Sequence, residues 1–91
     1  SYGTGIYAAD GGTVIKAGWS GGLGYALYID HGNGMVTTYG HNSSLAVSAG
    51  DHVYKGQLIA YMGSTGNSSG SHCHFAVEVY GTYVDPLNYL P

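Results

Sequence analysis

Turn signals interrupt this chain so often that no stretch is left for a long helix. Asp10-Gly11-Gly12, Ser20-Gly21-Gly22 and His31-Gly32-Asn33-Gly34 each place glycine where the backbone can reverse at positive φ without a steric penalty. Between them run short segments of β-branched and aromatic residues, 6–9, 13–19, 25–30 and 35–39, followed later by 58–62. Seventeen glycines and ten tyrosines in 91 residues, with charged side chains at only 8%, fit strands joined by tight turns. The first two segments are expected to reverse on Asp10-Gly11-Gly12, and the near-continuous apolar character of 25–30 points to a strand covered on both faces. Residues 49–63 place two turn signals around Val53 and read as a compact β-corner leading into the strand at 58–62. Residues 42–47 fit a helical turn or a loop equally well.

The most informative segment is Ser71-His72-Cys73-His74-Phe75-Ala76-Val77-Glu78-Val79. Its odd positions are apolar and its even positions carry His72, His74, Ala76 and Glu78, the period-2 pattern of a half-buried strand. The polar face therefore presents two imidazoles, about 6.5–7 Å apart at Cα, pointing the same way from a stiff backbone. Imidazole is the commonest metal ligand and the side chain best placed to move protons near neutral pH. An isolated His-x-His is most often a solvent-facing pair. Here, however, a polar, Gly-rich loop at 63–71 precedes the strand and leaves its mouth open to a ligand. A third histidine follows a strand in Thr37-Thr38-Tyr39-Gly40-His41; taken alone it reads equally as a loop histidine in water. His52, in the turn around Val53, reads as exposed and idle.

A chain of this length is expected to form one domain, residues 1–91, whose small core would gain from a metal or a neighbouring domain. A net charge of −3, with Lys16 and Lys55 the only basic side chains besides histidine, gives no electrostatic footprint for nucleic acid. No apolar run approaches the roughly 20 residues of a membrane span, and residues 1–5 have no signal-peptide character. Cys73 is the single cysteine, so no internal disulfide forms, and its place on the apolar face reads as a packed thiol. Asn42 and Asn67 open Asn-x-Ser triplets, which are acceptors only in a eukaryotic secretory setting. A hairpin is expected through Tyr80-Gly81-Thr82, after which Pro86 limits further pairing.

In order along the chain, six pieces resemble the catalytic domain of the lysostaphin-type zinc endopeptidases, which cut peptide cross-links in bacterial peptidoglycan. They are Gly5-Ile6-Tyr7-Ala8-Ala9-Asp10-Gly11-Gly12-Thr13-Val14, Tyr39-Gly40-His41, Gly50-Asp51-His52-Val53-Tyr54-Lys55-Gly56-Gln57, Gly63-Ser64-Thr65-Gly66, Ser71-His72-Cys73-His74-Phe75 and Val84-Asp85-Pro86. The resemblance implies an all-β, mainly antiparallel domain with a groove over its central sheet. It implies zinc as cofactor, a peptidoglycan peptide as substrate, and an extracellular or cell-envelope location. It further implies His74 as a zinc ligand, joined by a His and an Asp from a His-x-x-x-Asp motif, with His41 and His72 beside the metal-bound water. Zinc polarises the scissile carbonyl and lowers the pKa of its water, a neutral imidazole takes the proton, and an imidazolium stabilises the oxyanion. Which of His41 and His72 does which stays open.

The sequence departs from the family in one serious respect. The His-x-x-x-Asp motif is absent, and neither Asp10 nor Asp30 follows a histidine at ligand spacing. His74 alone would leave a catalytic zinc two protein ligands short. The expectation is that residues 1–91 are an N-terminally truncated part of a working peptidase and are inactive by themselves. Ala76 stands where the family often has Glu, and Glu78 where a basic residue is frequent; Glu78 is read as behind the ligands or substrate-facing at most. His31 is read as a turn residue. One rival keeps the fold and drops the chemistry, leaving an envelope scaffold or an activator of cell-wall hydrolases; the retained histidines argue against it and the missing motif for it. A second rival is a carrier module, because 47–62 resembles the β-corner of biotinyl and lipoyl carriers. Those carry their lysine at a hairpin tip, whereas Lys55 precedes a glycine inside the corner.

Overall fold

The computed structural model describes residues 3–63 and 74–84. Eight strands lie among them: β1 Gly5–Tyr7, β2 Gly12–Trp19, β3 Tyr25–Asp30, β4 Met35–Leu45, β5 His52–Val53, β6 Leu58–Met62, β7 His74–Val79 and β8 Thr82–Val84, with a 3-10 turn at Gly21–Leu23. Every pairing among these strands is antiparallel, as the all-β, mainly antiparallel expectation required. Among the described residues no helix is long and apolar enough to cross a membrane.

The strands follow the order β1-β6-β4-β3-β2-β5, with β7 added on β4 and β8 on β7. β5 and β6 stand towards opposite ends of this order, yet a short turn joins them. Gln57 N–H donates to the Tyr54 carbonyl at 2.9 Å, and Tyr54 N–H donates to Gln57 Oε1 at 3.0 Å. The sheet must therefore curl, and it closes around Ala8, Val14, Leu27, Ile29, Tyr39, Val53, Ile59 and Ala60. Each fully buried aliphatic side chain there contributes about 1.5–3 kcal/mol.

The same curl explains why the first expected hairpin does not form. β1 pairs with β6, while β2 pairs with β3 and β5. Asp10-Gly11-Gly12 thus links the two ends of the curled sheet, and a Cβ at Gly12 would collide with the Asp30 carbonyl oxygen. Ala8, just past β1, is fastened to the β5–β6 turn by Ala8 N–H to Gln57 O at 2.9 Å and Gly56 N–H to Ala8 O at 2.8 Å.

The alternation read in β7 is observed. Phe75 packs against the core, with its ring centroid 5.2 Å from that of Tyr39, and Val77 is fully buried, while Phe75, Ala76, Glu78 and Val79 are all half-buried, so the alternation shows in what each side chain packs on more than in its exposure. β3 is covered on both faces only in part, since Ala26, Leu27 and Ile29 are buried but Tyr28 and Asp30 are half-exposed. At the other end of β7, Tyr80 and Gly81 both take positive φ, +50° and +81°, which is the two-residue hairpin geometry that matches strand twist.

A polar chain runs through this packing. Ala9 N–H donates to Tyr39 Oη at 2.9 Å, Tyr39 Oη lies 3.3 Å from Thr37 Oγ1, and Thr37 Oγ1 lies 2.8 Å from His31 Nε2. The chain ends where His31 Nδ1 meets the Gly11 carbonyl at 2.6 Å; a carbonyl only accepts, so Nδ1 carries the proton. His31 is the turn residue it was expected to be, and it ties the β3–β4 turn to the link between β1 and β2.

Candidate functional site

The site begins with a change of partner along β4. One edge of β4 pairs with β3. On the other edge, residues 35–40 pair with β7 and residues 42–45 with β6. His41 stands between the two sets. It lies inside the strand, not past its end as the sequence suggested, and it has φ +59°. Register shifts flank it on both edges, between Tyr25 and Leu27 of β3 and between Asn42 and Ser44 of β4. Such bulges bend a strand and re-aim a side chain, and the left-handed backbone costs a non-glycine residue on the order of 1 kcal/mol. His41 is only 8% exposed, so the reading of a loop histidine in water does not hold.

Asn42 explains how the backbone keeps this shape. It is fully buried, and its Nδ2 donates to the carbonyl oxygens of Tyr25 and Tyr39, each at 3.0 Å. It is therefore no glycosylation acceptor. This role is not legible in the sequence, where the only signal is a side-chain amide directly after a candidate histidine, well suited to bond main-chain groups where a ladder is broken.

His74 opens β7 and stands opposite Gly40, one residue from His41. The strand register thus brings two of the three expected site histidines to one end of the sheet. His72 lies outside the described residues, as do Cys73, the Gly/Ser loop after Gly63, and Asp85-Pro86. His52 is exposed on β5, with Nδ1 3.1 Å from Thr13 Oγ1, a contact between strands where an idle histidine was expected. Among the described residues no three His, Cys, Asp or Glu side chains come together to hold a metal.

Beyond His74 the register sets out the face of the sheet that Ala76 and Glu78 share. One row runs Lys16, Tyr28, Thr38, Ala76; the next runs Asp30, Val36, Glu78, Tyr83. Lys16 Nζ lies 5.5 Å above the Tyr28 ring and 3.3 Å from Ser20 Oγ. Tyr83 donates its hydroxyl to Glu78, and this bond, with the adjacent negative charge, holds the phenol above its ordinary range. Near the opposite end of β3, Trp19 and Tyr25 meet edge to face, with centroids 5.3 Å apart at 89°.

Residues 1–86 match the family model described as Peptidase family M23. The chain belongs to the M23 peptidases. It is 48% identical over 88 residues to a protein named lipoprotein NlpD/LppB homolog from Pseudomonas aeruginosa, covering 94% of this chain and 29% of that protein. It is 38% identical over 90 residues to the murein hydrolase activator EnvC of Escherichia coli, covering 99% of this chain and 22% of that protein. The chain thus spans less than a third of either relative. Among solved M23 structures, the catalytic domain of lysostaphin from Staphylococcus simulans matches with a TM-score of 0.91 at 34% identity, over 98% of this chain and 71% of that one. A zinc-containing peptidase from Vibrio cholerae matches with a TM-score of 0.90 at 35% identity, over 93% of this chain and 26% of that one. The lysostaphin-type fold of the M23 family is the fold of this chain.

Proposed function

We propose that this chain is the peptidase module of a zinc endopeptidase that hydrolyses peptide cross-links of bacterial peptidoglycan in the cell envelope. The observation that carries the reading is the register of β4 on β7: Gly40 faces His74, and the buried, left-handed His41 comes next. Support comes from the likeness to the lysostaphin catalytic domain and to the zinc-containing Vibrio cholerae peptidase. The lipoprotein name of the Pseudomonas aeruginosa relative agrees with an envelope location.

In this reading His74 is a metal ligand, and His41 and His72 act beside it. A bound zinc would supply Lewis acidity, polarising the scissile carbonyl and acidifying a water. The contribution of His41 is a proton site held at fixed height by the bulge. Neutral, its imidazole accepts a proton from the attacking water; protonated, it donates to the oxyanion or the departing amine.

A second reading has its own observation. Among the described residues His31 is committed to Gly11 and Thr37, and His52 lies against Thr13. With the activator name of the Escherichia coli relative, this favours a domain that stimulates other cell-wall hydrolases. Zinc content and digestion of purified peptidoglycan by the full-length protein separate the two. The peptidase reading expects about one zinc per chain, lost in His74→Ala but kept in His41→Ala, where turnover falls about 100-fold or more. Stoichiometric zinc in His74→Ala overturns the site. Absence of zinc and of digestion, with faster digestion by a second hydrolase, establishes the activator.

A further inference from the structure

Four of the chain's five carboxylates lie among the described residues, and three of these are used up in their own turns. Asp10 accepts from Gly11 N–H at 2.8 Å, Asp30 from Gly32 N–H at 2.8 Å, and Asp51 from Ser48 N–H at 2.9 Å. Glu78 is different. It stands mid-strand on β7, half-buried, and the described group that bonds it is the Tyr83 hydroxyl. Neither cation of the chain neutralises it: Lys16 is engaged by Ser20 and the Tyr28 ring, and Lys55 sits in the β5–β6 turn. The same row of the sheet carries a second carboxylate, Asp30, across Val36.

A second, independent observation comes from Thr38, which stands opposite Ala76 and Tyr28 in the neighbouring row. Thr38 is 3% exposed, and its Oγ1 has no hydrogen-bond partner among the described residues. A buried hydroxyl left so costs about 1–3 kcal/mol relative to one that is paired, so Thr38 Oγ1 gains from any donor or acceptor that reaches it. Thr38 and Glu78 lie on one face and on adjacent strands, and that face leads to His74.

We propose that the sheet face from His74 to Glu78 is a specificity subsite for an extended peptide bearing a primary ammonium group, with Thr38 Oγ1 bonding the peptide's main chain and Glu78 taking the ammonium. The proposal rests on the peptidase reading for the substrate class. Glu78 is four strand positions from His74, about 13 Å, so the ammonium it takes lies about that far from the bond held at the level of His74. A carboxylate whose described partner is one hydroxyl keeps acceptor capacity for an ammonium, and a half-buried, charge-assisted bond discriminates more than a fully solvated one. The chain's net charge of −3 favours the approach of a cationic peptide.

The test uses the full-length protein and synthetic glycine/alanine peptides carrying one lysine moved along the sequence, each with its ε-amine free or acetylated. Binding is measured by calorimetry and cleavage separately. Expected is a roughly five- to tenfold preference for the free amine at one lysine position, shrinking at high salt and abolished in Glu78→Gln. Glu78→Gln should bind the free and the acetylated peptide alike. Thr38→Val should weaken both peptides several-fold while melting at the same or a higher temperature. Equal binding of the two peptides at every lysine position, or a preference surviving in Glu78→Gln, overturns the subsite. Unchanged affinity in Thr38→Val removes Thr38 from it. Preferential binding without cleavage supports the subsite and counts against the peptidase, and cleavage of both peptides alike does the reverse.

Discussion

Asn42 Nδ2 donates to the Tyr25 carbonyl oxygen at 3.0 Å, and this bond fastens β4 to β3 where their ladder is out of register. With the second bond to the Tyr39 carbonyl it closes the main chain around His41. Asn42→Ala removes both bonds from a fully buried position. A loss of about 2–3 kcal/mol is expected, read from urea denaturation. A variant as stable as the parent would mean that the bulge is held by other contacts.

His41 pays for its position in backbone strain. At φ +59° glycine carries no Cβ penalty, so His41→Gly should be more stable than His41→Ala by about 1 kcal/mol, against the usual order of the two residues in a strand. Both variants lose the imidazole, and under the peptidase reading both lose turnover. Denaturant midpoints that favour alanine would show that the left-handed backbone is not retained in the variants.

The chain from Ala9 through Tyr39 and Thr37 to His31 and Gly11 predicts coupled losses. Tyr39→Phe leaves the Ala9 amide without its acceptor and should cost about 1–2 kcal/mol. His31→Leu leaves the Gly11 carbonyl and the Thr37 hydroxyl without their bonds to His31 and should cost about 1–3 kcal/mol. Because the two share one network, the double variant should lose less than the sum, and a double-mutant cycle by thermal or urea unfolding measures the difference.

Tyr83 and Glu78 predict a pH effect. The hydrogen bond to Glu78 and its charge favour the neutral phenol, so Tyr83 ionises above its ordinary value of 10.0. An acid whose folded value is raised contributes stability that is complete below the unfolded value and is lost as pH climbs through the folded one. Their interaction is therefore present at neutral pH and is lost as pH climbs through the raised folded value of Tyr83. In Glu78→Gln, Tyr83 should ionise nearer 10.0, measured as the difference in alkaline phenolate absorbance between each protein and its Tyr83→Phe counterpart. An unshifted curve would show that Glu78 does not hold the phenol.

Much of this fold was legible because it is local. The in-out alternation of Phe75, Ala76, Val77 and Glu78 follows from the pleat, and Tyr80-Gly81 makes the expected hairpin because both residues take left-handed angles. The histidines were visible for the same reason. What could not be read is the closure of the sheet. Asp10-Gly11-Gly12 has the composition of a hairpin turn, yet β1 is claimed by β6, some fifty residues later, where Ile6 and Ala8 join Ile59 and Ala60 in the core. Nor does any local pattern reveal that β4 runs through His41, since a bulge breaks the period on which pattern reading relies. The Asn-x-Ser triplet at Asn42 carries no sign that the side chain is buried inside β4.

The change of partner at His41 also fixes how this strand can vary over evolutionary time. Residues 35–40 are registered against β7 and residues 42–45 against β6, so neither half of β4 can slide without the other. Inserting or deleting one residue between Thr37 and Asn42 would turn one half inside out relative to its neighbour. The distance along the chain from Tyr39 to Leu45 is therefore a counted length. Drift in length is left to the turns that His41 does not adjoin.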